Sequence, residues 1–148
     1  MSRSCYSDDF GEDFPGQMEL FRANVERSLH SKSGQARLRE LRDALLALPV
    51  KELEAGTFAE GTEERPHVCA LGAWALAKVG RVEGAKAMVP RESDDHETYR
   101  ALKSHGWPKL VVLEAVYVND ESFAKTDAER YQRVLAWVTD QLAGRSQE

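Results

Sequence analysis

Asp120 and Glu121 stand side by side in the stretch YVNDES, between two apolar segments. Two carboxylates so placed can divide general acid and general base work if one of them is desolvated. The same residue types favour turns and caps, because Asn and Asp side chains bond nearby backbone, and a turn is the plainer reading. His67 and Cys69 lie two residues apart and have the residue types of a nucleophile and its base. On an extended segment both share a face. Two residues of rise nevertheless separate them by about 7 Å, too far for a direct hydrogen bond without a bend. A cysteine that opens an apolar stretch is more often a core residue.

Other chemistries find no residue set. No pair of cysteines has zinc spacing, and His96 and His105 are nine residues apart, beyond one helical turn of each other. The glycines are scattered rather than clustered as a phosphate-binding loop, and no serine stands in a nucleophile elbow. The sequence therefore predicts no metal, no cofactor and no catalytic set.

Binding is the remaining use of the charged residues. Asp8, Asp9, Glu12 and Asp13 are mixed with Tyr6, Phe10 and Phe14 at the start of the chain. These acids, with Asp120 and Glu121, are the candidate partner-binding set: converging carboxylates suit a basic protein partner, and an ordinary solvated surface is the alternative. Arg22, Arg27, Lys32, Arg37 and Arg42 are the candidate set for nucleic acid. The densest cations lie in SGQARLRELRDALLALP, where Leu38, Leu41, Leu45 and Leu48 step by three, four and three. At about 100° per residue these leucines fall within roughly 80° of one another. Arg37 and Arg42 flank that stripe on opposite sides, and Arg39 points to the back with Asp43 four residues on. A reader of nucleic acid needs its cations to converge on phosphates. This helix instead reads as a core helix with snorkelling arginines. A net charge of −5 also argues against a dedicated nucleic-acid binder.

The elements that must position these residues follow from pattern. The chain has 148 residues, 42% apolar and 30% charged, which suits one domain with a real core. Two cysteines make no disulfide framework and suit a reduced compartment. The N-terminus has no apolar stretch of signal-peptide length, and the longest apolar stretches, around 110–118 and 70–79, are about half of a membrane span, so a soluble protein with no membrane association is expected. Residues 1–16 read as an acidic-aromatic leader, 17–144 as a single helical domain and 145–148 as a tail. Met18, Phe21, Val25 and Leu29 predict a first helix over 17–30. Ser33 caps a second that Pro49 ends, and so short a break suggests an antiparallel helix hairpin. Residues 50–68 carry Gly56, Gly61 and Pro66, and admit a short β-hairpin turning near EGTEER.

The third helix, CALGAWALAKVG, is apolar on most sides and should be central. Gly72 admits a close neighbour there, and Gly80 is a natural C-cap. A short, weakly helical piece follows over 81–90. Ser93, Asp94 and Asp95 then open a helix that Gly106 ends, Pro108 starts the next, and TDAE matches a capping box for a last helix ending at Gly144. The expected fold is mostly α, a single compact domain of five or six helices, with room for the β-hairpin between the second and third. A helical domain of this size can leave one apolar face uncovered, which admits a homodimer.

Gly34, Gln35 and Ala36 open the leucine-rich helix ending at Pro49; Cys69–Ala73 reads CALGA; Asn119, Asp120 and Glu121 form the acidic turn; Trp137 stands in the closing helix. In these blocks, about half of the chain, the sequence resembles a family of small acidic proteins encoded by bacteriophages and prophages. The region 81–107 does not share the pattern. The resemblance implies a setting rather than a mechanism: an accessory protein in the bacterial host cytoplasm. Its expected partner is a host or viral protein, and inhibition of a defence system such as CRISPR interference is one such role.

Overall fold

A computed structural model describes residues 15–121 and 123–146. Among these described residues, seven α-helices and one β-hairpin follow in the order α1 (Pro15–Leu29), α2 (Lys32–Ala47), β1 (Ala59–Gly61), β2 (Pro66–Val68), α3 (Ala70–Val79), α4 (Val82–Met88), α5 (Asp95–Leu102), α6 (Lys109–Glu121) and α7 (Asp127–Ser146). The mostly helical class and the hairpin agree with the sequence. The count is seven rather than five or six, because the weakly helical piece after Gly80 closes into a true helix. Val82 and Ala85 pack inward there, and the Glu63 carboxylate accepts from the Val82 amide at 2.9 Å, capping an end that Arg81 does not cap.

The apolar spacings of α1 and α2 are realised in the core. Val25, Leu29, Leu38, Leu41, Leu45 and Leu48 are all buried. The N-cap of α2 is Ser31 rather than Ser33: its hydroxyl accepts from the Gly34 amide at 3.1 Å and donates to the Ser28 carbonyl at 2.7 Å. The break between α1 and α2 is thus a two-residue corner. Beyond it α1 packs chiefly on α6, not on α2.

α3 is the central helix, buried from Ala70 through Ala75. A β-carbon at Gly72 would overlap the Phe58 carbonyl oxygen and come within 2.8 Å of the Phe58 carbonyl carbon. Only glycine lets α3 lie this close to the strand that enters the hairpin. Gly80 ends the helix in a left-handed conformation at φ 83°, as its position predicts. The hairpin is antiparallel, pairing Ala59 with Val68 and Glu60 with His67, and its turn falls at EGTEER. Trp74 and Trp107 meet edge-to-face with centroids 5.4 Å apart.

The other helix ends refine the sequence reading. Of Ser93, Asp94 and Asp95, it is Asp94 that caps α5, forming a reciprocal capping box with Glu97. Thr126 caps α7 by accepting from the Glu129 amide at 3.0 Å, while the Glu129 carboxylate pairs with Arg133 at 3.1 Å. α7 passes through Gly144 and reaches Ser146, since a lone glycine costs a helix only about 1 kcal/mol.

Candidate functional site

The nucleophile pair is not assembled. His67 is exposed on β2 and contacts the Glu54 carboxylate through Nδ1. Cys69 is buried and caps α3, its sulfur accepting from the Gly72 amide at 3.4 Å. His105 stands edge-on to Trp74 at 5.7 Å, while His96 lies beside Asp95 at 3.8 Å. Among the described residues no group of His, Cys, Asp or Glu is placed to hold a metal ion. Burial raises the pKa of Tyr131, whose hydroxyl donates to the Leu45 carbonyl at 2.8 Å and joins α7 to α2.

Asn119, Asp120 and Glu121 correct the expected turn: they form the last turn of α6. The cause is Asn119, which is 1% exposed and acts as a clamp. Its Oδ1 accepts from the Ala70 amide at 2.9 Å, one of the N–H groups the start of α3 leaves open. Its Nδ2 donates to the Glu54 carbonyl at 2.9 Å and to Asp120 Oδ1 at 2.8 Å. Asp120 Oδ1 also accepts from the Gly56 amide at 3.3 Å. These bonds fasten α6, α3 and the segment before the hairpin to one another. Asp120 therefore has a structural task, and Glu121 stands half-exposed beside it. Asp8, Asp9, Glu12 and Asp13 lie outside the described residues.

The five candidate cations divide. Arg22 donates to Glu114 at 2.9 Å, a carboxylate buried within α6. Arg27 bonds Asn24, and Arg37 donates to the His105 carbonyl at 2.6 Å and to Glu40 at 3.0 Å. Glu40 in turn accepts from the Trp74 indole at 2.9 Å, so Arg37 belongs to the wall of the core. Lys32 and Arg42 instead face a common groove, and Arg39 joins them. Asp43 pairs with Arg42 at 3.7 Å rather than with Arg39. The spacing Lys32, Gln35, Arg39, Arg42 is three, four and three, the same step as the leucines, displaced around the helix. That signal was present in the sequence but is hidden when the arginines are compared only with each other.

A second feature went unseen. Phe123, in the connection from α6 to α7, is 88% exposed and sits at φ 61°. Left-handed backbone is unfavourable for a residue with a β-carbon, and a fully solvated aromatic ring forgoes its burial. No single-sequence periodicity marks such a residue.

No family model, no curated protein and no solved structure matches the chain.

Proposed function

We propose that the chain is a phage or prophage accessory protein that works by binding a host or viral protein, with Phe123 as the anchor of the contact. The carrying observation is the exposed ring at φ 61°. Strained backbone of this kind costs on the order of 1–3 kcal/mol and clusters where it serves function. Burying an aromatic ring in a partner's pocket is a common centre of binding energy. Half-exposed Glu121 lies just before Phe123 and supplies acidic charge at its edge, while Asp120 is engaged in the clamp. The matching partner surface is an apolar socket edged by Lys or Arg.

The phage setting, the host cytoplasm and a role against a defence system such as CRISPR interference rest on the sequence resemblance. The absence of membrane association is supported by one fact: among the described residues no helix is long and apolar enough to cross a membrane. The test is capture from a bacterial host by the C-terminally tagged chain, run beside Phe123→Ala. A stoichiometric protein recovered by the first and lost by the second supports the reading. Recovery that ignores Phe123 contradicts it. A second copy of the chain as occupant would show as a dimer in sedimentation that Phe123→Ala dissolves.

The nucleic-acid alternative keeps less of its original support. Arg22, Arg27 and Arg37 are held in separate contacts within the fold, so only Lys32 and Arg42 of that set share a surface.

A further inference from the structure

The groove beside α2 stands apart from Phe123 and has its own chemistry. Its floor is one face of α2, where Lys32, Gln35, Arg39 and Arg42 recur at helical spacing. His30 and Ser31 close it at the corner from α1, and Leu142 of α7 forms an apolar wall. It is a shallow depression, largely open to solvent, of about 690 Å³. At about 1.5 Å per residue, Lys32 to Arg42 covers roughly 15 Å of helix axis.

This concentration of cations is unusual for the chain, which carries 25 acids against 20 lysines and arginines. Among the described residues, Lys32 and Arg39 have no carboxylate partner, although acids are in excess. The start of α2 opens at the same end and adds partial positive charge. Among the described residues, the two carboxylates that contact groove residues stand at the margins. Glu26 approaches His30 at 4.0 Å at one end, and Asp43 approaches Arg42 at 3.7 Å at the other.

We propose that this groove binds a short polyphosphate, such as the di- or triphosphate tail of a nucleotide. A single phosphate would engage only part of a cation row roughly 15 Å long. A continuous nucleic-acid strand would leave the groove past Glu26 or Asp43 and meet like charge at either end. Two or three linked phosphates meet more of the row than one does and stop short of both limits, and the long, flexible Lys32 side chain can reach inward to them. Arginine suits phosphate oxygens through its planar fork of donors. The groove lining has no Phe, Tyr or Trp, and its one ring is the imidazole of His30 at the corner, so a base finds little to stack on there, and recognition falls chiefly on the phosphates.

The test is a two-dimensional NMR titration of the full chain at low salt with inorganic tripolyphosphate, orthophosphate, citrate and a short oligothymidylate. Saturable shifts confined to residues 30–42 and to the segment around Leu142 are expected with tripolyphosphate. Orthophosphate and citrate should bind about tenfold more weakly or worse. Lys32→Gln and Arg39→Gln should each weaken tripolyphosphate about tenfold, the scale of one lost charge-assisted hydrogen bond. Arg91→Gln, which removes an exposed cation outside the groove, should change nothing. Unsaturable shifts, citrate binding as tight as tripolyphosphate, or equal weakening by Arg91→Gln would each overturn the proposal. So would oligothymidylate binding more tightly per phosphate, which would make the groove a reader of nucleic-acid backbone. None of these outcomes depends on Phe123.

Discussion

Asn119→Ala removes the clamp at the end of α6, and its effect follows from the bonds lost. The Ala70 amide and the Glu54 carbonyl each lose a partner held at 2.9 Å. Ala70 is itself buried, so its amide finds little water in compensation. A buried polar group left unpaired costs about 1–3 kcal/mol; with the half-buried Glu54 carbonyl at the lower end, the two total about 2–4 kcal/mol. That is a large share of the roughly 5–15 kcal/mol that holds a domain together. Equilibrium unfolding in urea is the assay. With a slope of about 2 kcal/mol per molar, the midpoint should fall by roughly 1–2 M.

Asn119→Asp separates the two bonds. The introduced carboxyl still accepts from the Ala70 amide, but when ionised it faces the Glu54 carbonyl and Asp120 with no proton to donate. Burial and that neighbouring charge raise its folded pKa above the unfolded value of about 3.9. The unfolded state then ionises first as pH rises. The destabilisation should therefore be largest at neutral pH and shrink as pH falls toward about 4. A midpoint for Asn119→Ala within experimental error of wild type would refute the clamp, as would a pH-independent penalty for Asn119→Asp.

Further outcomes follow from the same contacts. Gly72→Ala forces α3 away from Phe58 and should cost about 3 kcal/mol or more, read as a lost or strongly lowered thermal transition. Arg22→Met leaves the Glu114 carboxylate, 5% exposed, without the bond at 2.9 Å, and should cost about 1–3 kcal/mol in urea unfolding. Glu114→Gln in that background should recover part of it, because it removes the buried charge. Tyr131→Phe should cost about 1 kcal/mol at neutral pH by removing the bond to Leu45. Burial raises the Tyr131 pKa, so the wild type keeps this stability below pH 10 and loses it as pH rises through the folded value. Tyr131→Phe should lose less over that alkaline range in pH-dependent melts.

What the sequence revealed of the fold was periodic, and what it hid was singular. Leu38, Leu41, Leu45 and Leu48 repeat at helical spacing and are all buried, and the small residues around Gly72 placed α3 at the centre. Helix ends were less legible, since Ser31 and Ser33, or Ser93 and Asp94, are chemically equivalent caps until tertiary contacts choose between them. The YVNDES stretch misled because Asn and Asp favour turns locally. Here the Ala70 amide and the Glu54 carbonyl, 49 and 65 residues away in sequence, hold Asn119 in a helix. The candidate cations could be named but not sorted, because Glu114 and the His105 carbonyl are the distant acceptors that engage Arg22 and Arg37. Phe123 depends on one backbone angle, which no pattern in the sequence encodes.

Phe123→Gly tests the central claim most directly, because it sets stability against binding. Glycine relieves the left-handed backbone at that position but loses more conformational entropy on folding, so the fold should gain a net of about 0.5–1 kcal/mol, or roughly 2 °C in Tm. Expressed with a tag in a bacterial host beside the wild type, the variant should be the more stable protein and yet fail to retain the partner that the wild type captures. Equal capture by both, or a melting temperature lowered by the substitution, would contradict the assignment of Phe123 as a ring held in strain for a partner.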